Sequence, residues 1–179
     1  MEILIETPKS SLKTYKLSSI FLENNTDIDN EKFCDNFLKE CVLEIKDKLL
    51  VNLPIKVFNK PGIQHRAIRF LSDTSIGYEY SNKLVRSIPL TPKLKILLEI
   101  INKKFNSEFN GILVNKYKDG EDYIGAHSDN ETNLDDVGVL AISYGAIRKF
   151  RIRDKKTRKI LKDIPTISNQ IIQMSGNFQ

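Results

Sequence analysis

Cysteine is scarce in this sequence: Cys34 and Cys41 are the two in 179 residues. They stand seven positions apart in a stretch that reads as helix, which places them on one face. Two thiols are too few for a disulfide framework or a thiolate metal site, so buried free thiols are expected. No run of about 18 or more apolar residues occurs, which excludes a membrane-spanning helix. The amino terminus, Met1 to Lys9, carries Glu2 and Glu6 where a signal peptide needs a basic stretch and an apolar core. A soluble, unsecreted, intracellular protein of nucleus or cytoplasm, with no membrane partner, is expected. Histidine is as rare as cysteine, with His65 and His127 alone, so imidazole chemistry has few sources. Internal repeats and low-complexity tracts are lacking too, which excludes solenoids and linker-rich chains.

What is present fits one globular domain over residues 1–179, since a chain of this length with 40% hydrophobic residues can bury a sizeable core. The net charge of +5 and pI near 9.1 suit a polyanionic partner without requiring one. The charge is concentrated: Arg148 to Lys162 holds nine Lys or Arg against Asp154 alone. By charge alone this is equally a solvated hairpin or a phosphate-contacting surface.

Two helices stand out. The first runs from about Asn30 to Lys48, with Asp29 or Asn30 as N-cap and Phe33, Phe37, Leu38, Cys41, Val42 and Ile45 at helical spacing. In the second, Thr91 caps and Pro92 takes the first helical position, followed by a stripe of Leu94, Leu97, Leu98, Ile101 and Phe105. Between them Ile55–Phe58, Ala67–Leu71 and Tyr78–Tyr80 read as extended. After them come Ile112–Tyr117, Val139–Tyr144, Phe150–Arg153, Lys159–Leu161 and Gln170–Met174. Strands joined by turns rather than crossover helices point to an α+β protein with an antiparallel barrel or jelly roll flanked by helices.

His127-Ser128-Asp129 puts an imidazole and a carboxylate on one side of an extended segment, the spacing of two neighbouring metal ligands. Non-haem Fe(II) oxygenases hold iron with two histidines and one carboxylate and leave positions open for cosubstrate and O2. The pair gains meaning from its surroundings. Asn115-Lys116-Tyr117-Lys118-Asp119-Gly120 precedes it, Glu131 follows by two, and Ser143-Tyr144-Gly145-Ala146-Ile147-Arg148-Lys149-Phe150 comes next. In this order the sequence resembles the AlkB family of Fe(II)- and 2-oxoglutarate-dependent dioxygenases, with its N-x-Y-x-D-G, H-x-D-x-E and S-aromatic-G-A-x-R-x-F pattern. From Val57 onward, through Arg66, Tyr78, Tyr80 and Ser81, it is similar to the animal AlkB homologues that repair duplex DNA.

The resemblance implies a double-stranded β-helix core with residues 1–90 as an N-terminal extension and nucleotide-recognition lid. Residues 91–179 would form a helix and an incomplete core whose C-terminal strands lie beyond Gln179. It implies His127 and Asp129 as Fe(II) ligands and catalytic residues, and Asn115 and Tyr117 as ligands of 2-oxoglutarate, with O2 as the third cosubstrate. Substrate contacts fall to Phe58 as a wedge replacing lost stacking, Arg66, Tyr78 and Tyr80 as the wall of the base pocket, Ser81, Glu131 on the base edge, and Arg148 at the pocket mouth. Arg151, Arg153, Lys155, Lys156 and Arg158 would continue onto the phosphate backbone. On residues alone, Phe58, Tyr78 and Tyr80 also read as core and Glu131 as a solvated loop residue. The implied activity is oxidative demethylation of 1-methyladenine and 3-methylcytosine in DNA by a monomer. A dioxygenase acting on RNA or protein, and a non-catalytic nucleic-acid-binding module, stay open. The family pattern places its second histidine past a segment like Ile171–Gln179, where this sequence stops; a longer natural chain, a degenerate and inactive fragment, and another group completing the site stay open as readings.

Overall fold

The computed structural model describes residues 1–21, 30–57, 60–80, 83–128 and 137–176. It is mostly β, and every strand pair is antiparallel. The chain divides into two compact units. One is built from Met1–Lys39, Lys104–Ser107 and Ala126–Gln179, the other from Glu40–Lys103 and Glu108–Gly125.

In the first unit, β1 (Glu2–Thr7) and β2 (Ser10–Lys16) form a hairpin, followed by the single turn of α1 (Ser18–Phe21) and by α2 (Asn30–Ile45), which runs on into the second unit. Later come β9 (Val139–Ile142), β10 (Arg148–Arg153), β11 (Ile160–Thr166) and β12 (Gln170–Gly176). One sheet has the order β1-β2-β12-β9, so the amino-terminal hairpin is sheet neighbour to the last described strand. The β2–β12 ladder runs from Lys16↔Gln170 to Ser10↔Gly176 without a shift. Alternation along it sorts the two faces. Leu12, Ile172 and Met174 point into an apolar cluster shared with Ile152 of β10 and Ile164 of β11. Each such buried side chain stabilises by about 1.5–3 kcal/mol over an exposed one. On the opposite face the Ser11 and Ser175 hydroxyls bond across the strands at 2.8 Å, and Tyr15 Oη donates to Gln173 Oε1 at 2.7 Å. Gly176 has φ 64, and a Cβ there would collide with the Lys9 carbonyl oxygen, so the ladder's end requires glycine.

The second unit is made of short pairs: β3 (Pro54–Val57) with β4 (Lys60–Ile63), β5 (Ala67–Leu71) with β8 (Ile112–Lys116), and β6 (Gly77–Tyr80) with β7 (Lys83–Arg86). Its helix α3 (Pro92–Phe105) continues for its last residues into the first unit. Leu94, Leu97 and Ile101 of α3 are buried, as the stripe predicts.

Several boundaries and contacts differ from the sequence expectation. Helix α2 ends at Ile45 instead of Lys48, and its buried stripe is Cys34, Phe37, Leu38, Cys41 and Ile45. Phe33 and Val42 are 45% and 37% exposed, because the stripe is centred one position later; Phe33 keeps an edge contact with Phe21 at 6.2 Å. Both cysteines are buried free thiols, as expected. Thr91 precedes α3, but its hydroxyl oxygen is buried with no hydrogen-bond partner among the described residues. The capping acceptor is Glu44 of α2, which takes the Lys93 amide at 3.1 Å, while Glu40 pairs with the Lys93 ammonium at 2.6 Å. Strand β11 reaches Thr166, well past the expected Leu161, because Lys162, Asp163 and Pro165 interrupt the apolar run in a strand whose one buried residue is Ile164. The strands β1, β2, β4 and β7 are also additional to the expected set.

Candidate active site

Asn115 and Tyr117 come from β8 and the residue just past its end, and β8 is held in register by β5 through Ile68↔Asn115 and Ala67↔Lys116. That pairing brings Arg66, one residue ahead of β5, beside Asn115. Arg66 is 4% exposed, and its Nε donates to Asn115 Oδ1 at 2.7 Å. An amide whose oxygen is occupied presents its NH2 outward as the free donor, so this contact orients Asn115. The Asp119-Gly120 turn that follows is held by side chains, with Asp119 Oδ1 accepting the Glu121 amide at 2.9 Å and Asp122 Oδ2 the Lys118 amide at 2.6 Å. Tyr78, in β6, lies half-buried against Phe70 of β5 at a ring separation of 6.0 Å. Tyr80 ends that strand, and its side chain lies outside the described set.

His127 is exposed in the first unit. Gly145, with φ 96, makes the turn of the Ser143–Phe150 motif, and the backbone amide of Ser143 donates to Gln170 at 2.9 Å. Arg148 opens β10, half-buried, and its carbonyl accepts Thr166 Oγ1 at 3.1 Å. In the basic hairpin β10–β11, the Arg151 guanidinium makes a two-pronged pair with Asp163, Nε to Oδ1 at 2.6 Å and an Nη to Oδ2 at 2.7 Å. Lys149 Nζ stands 3.8 Å from the same carboxylate. The Arg151 hydrogen bonds hold Asp163 below the ordinary carboxylate value and raise Arg151 in return. Arg151, expected on a phosphate backbone, thus has its fork already filled by an acid one position beyond the basic run. Asp154 caps the hairpin turn, accepting the Lys156 and Thr157 amides, and the Thr157 bonds are the main cause of its lowered pKa.

Of the sequence-predicted residues, Arg66 and Asn115 are in direct contact, Tyr117 and Tyr78 belong to the same unit as them, and His127 and Arg148 to the other. Phe58, Ser81, Asp129 and Glu131 lie outside the described residues. One pair escaped sequence reading: His65 stacks on Tyr123 at 5.3 Å with an interplanar angle of 21°. Neither ring sits in a periodic pattern, so no local signal marks it. His127 and Asp129 have the donor chemistry for two positions of a facial triad. Among the described residues, however, no group of three His, Cys, Asp or Glu side chains converges, so no ligand geometry is drawn for a metal.

The model of the 2OG-Fe(II) oxygenase superfamily matches residues 47–179, and the chain belongs to that superfamily. Within it the chain is of the AlkB type. It is 33% identical over 106 residues to the DNA oxidative demethylase ALKBH2 of Bos taurus, covering 58% of this chain and 38% of the relative. The Mus musculus ALKBH2 is 30% identical over 125 residues, 69% of this chain and 52% of the relative. The alpha-ketoglutarate-dependent dioxygenase alkB homolog 3 of Mus musculus is 36% identical over 82 residues, 45% and 29% of the two chains. The chain thus spans about half or less of the length of these relatives. Among the described residues no helix is long and apolar enough to cross a membrane.

Proposed function

We propose that the protein removes alkyl groups oxidatively from DNA bases, with 1-methyladenine and 3-methylcytosine as substrates and Fe(II), 2-oxoglutarate and O2 as cofactor and cosubstrates. The observation that carries this reading is the ordered motif series from Asn115 to Phe150 inside a superfamily match that begins at residue 47. Relatives named as DNA oxidative demethylases support the choice of substrate class.

Iron with 2-oxoglutarate and O2 supplies the oxidant that hydroxylates the N-alkyl carbon, and the resulting hemiaminal falls apart to formaldehyde and the repaired base. His127 and Asp129 hold the metal. Asn115, its oxygen taken by Arg66, donates its NH2 to a 2-oxoglutarate carboxylate, and Tyr117 donates its hydroxyl. Arg66, being buried against Asn115, acts as a positioning residue rather than a direct substrate contact. Tyr78 and Tyr80 wall the base pocket, and Glu131 accepts from the exocyclic amine of the flipped base, whose positive charge it also favours. Phe58 and Ser81 serve the duplex side. Arg148 stands at the pocket mouth, and the outward lysines and arginines of β10–β11 take phosphates without reading sequence. We read the two compact units as parts of one AlkB-like domain acting as a monomer.

The test is mass spectrometry of a 1-methyladenine DNA oligonucleotide after incubation with the longest natural form of this protein, Fe(II), ascorbate and 2-oxoglutarate. Loss of the methyl mass by the wild type, with none by His127→Ala, is the expected result. No loss in either would sink the demethylase reading. Competition by a methylated RNA oligonucleotide as effective as the DNA would move the substrate to RNA.

A further inference from the structure

Among the described residues, the edge of β5 that faces away from β8 carries two isolated bridges in place of a strand. Ile68 exchanges both backbone hydrogen bonds with Leu50, at 2.8 and 3.0 Å, the Ile88 amide donates to the Phe70 carbonyl at 3.2 Å, and the Ile88 carbonyl accepts the Ser72 amide at 2.9 Å. The chain segments around Leu50 and Ile88 therefore flank this edge. They border a cleft of about 600 Å³, lying wholly in the second unit, with apolar walls from Leu50, Ile88 and Leu90.

Three cationic or donor side chains line that cleft: Arg69, Lys48 and Thr91. Arg69 alternates with buried Ile68 and Phe70, so its side chain leaves β5 on the other face. Its Nε is buried and has no hydrogen-bond partner among the described residues, and neither has the hydroxyl oxygen of Thr91, a residue 5% exposed. A buried polar atom without a partner is unfavourable, and two of them on residues of one cleft point to a missing partner there. Asp47 is the single carboxylate of the lining, so Arg69 and Lys48 leave it with one net positive charge. The Lys93 amide of α3 is already taken by Glu44.

We propose that this cleft binds a small oxyanion on an apolar body, the Arg69 guanidinium gripping the anion with Lys48 and Thr91 as further donors. A guanidinium fork matches a carboxylate and a phosphate monoester equally well, so the shared chemistry is the planar or tetrahedral oxyanion. The site owes nothing to the iron chemistry and stands or falls separately from it.

Titrating the full 179-residue chain with octanoate, octyl phosphate and octylammonium, followed by the Arg69 Nε–Hε cross-peak in a ¹⁵N correlation spectrum, tests it. The expected result is a saturable shift with octanoate, octyl phosphate or both, and none with octylammonium; whichever anion saturates identifies the source. Arg69→Gln should weaken binding about tenfold, and the exposed Lys48→Gln and the near-isosteric Thr91→Val by a smaller factor. If Arg69→Gln does not fold, the other two variants decide. A cross-peak that no anion moves, octylammonium binding as tightly as the anions, or undiminished affinity in the variants would overturn the proposal.

Discussion

The two compact units are stabilised in different ways. In the first, the unshifted β2–β12 ladder joins residues from opposite ends of the sequence and closes an apolar cluster in which Leu12 and Ile172 are fully buried. In the second, strands of four or five residues pair in twos, two of the three pairs are local hairpins, and a buried arginine is satisfied by an asparagine from the neighbouring strand. The difference is one of support. Long non-local pairing with matched apolar faces holds the first unit, which also carries His127 and Arg148, while the short pairs of the second carry Arg66, Asn115 and Tyr78, the side chains proposed for cosubstrate and base.

The sharpest way to break this contrast is to cut into each unit's own support. Ile172→Ala removes a fully buried side chain from the ladder and should destabilise by about 2–5 kcal/mol in urea unfolding. A loss under about 1 kcal/mol would mean the sheet does not depend on that cluster. Arg66→Ala should cost less, about 1–3 kcal/mol, because it removes the charged donor of the Arg66–Asn115 hydrogen bond. It should also raise the KM for 2-oxoglutarate more than it lowers kcat, and an unchanged KM would remove the positioning role.

Alkaline pH acts on both units through their thiols. Burial, with help from Asp35 and Glu31, pushes Cys34 up to about 11, and burial with Glu44 pushes Cys41 up to about 12. Between the ordinary value of 9.0 and those values the unfolded chain has released protons that the folded chain still holds. The thiols' contribution to stability is therefore level below pH 9 and falls as pH rises toward 11. Urea midpoints at pH 7, 9 and 10.5 check this, and the decline should be shallower in a Cys34→Ala, Cys41→Ala double variant.

Amide exchange sharpens the comparison further. The β2 and β12 amides should exchange slowest and those of β6–β7 faster, and the reverse order would refute that difference in support. The smallest effect is expected at Arg151. Because Asp163 occupies its fork, Arg151→Ala should lower the salt dependence of DNA binding less than Arg153→Ala, for which a loss of up to about 0.9 in the log–log slope is expected.

Legibility in the sequence followed the range of the interactions. Helix α3 was readable to its first residue, since Pro92 and the leucine stripe are local signals. Helix α2 was readable with its buried stripe displaced by one position, because Phe33 and Cys34 are both apolar and spacing along the chain does not say which of them faces the core. The hairpin β1–β2 was not read, and β11 was read too short. In the first, what defines the strand is a partner far along the chain; in the second, the apolar run is interrupted by Lys162, Asp163 and Pro165.

The candidate site divides in the same manner. Which residues we propose to carry the chemistry, His127-x-Asp129 and the Asn115 to Phe150 series, is a matter of residue type and spacing, and the sequence alone supplied that proposal. That Arg66 orients Asn115, that Asp163 neutralises Arg151, that His65 lies on Tyr123 and that Arg69 and Thr91 line one cleft were decided by tertiary structure. Each joins side chains that the backbone brings together only after the strands have paired, and no periodicity along the chain encodes a contact between its distant parts.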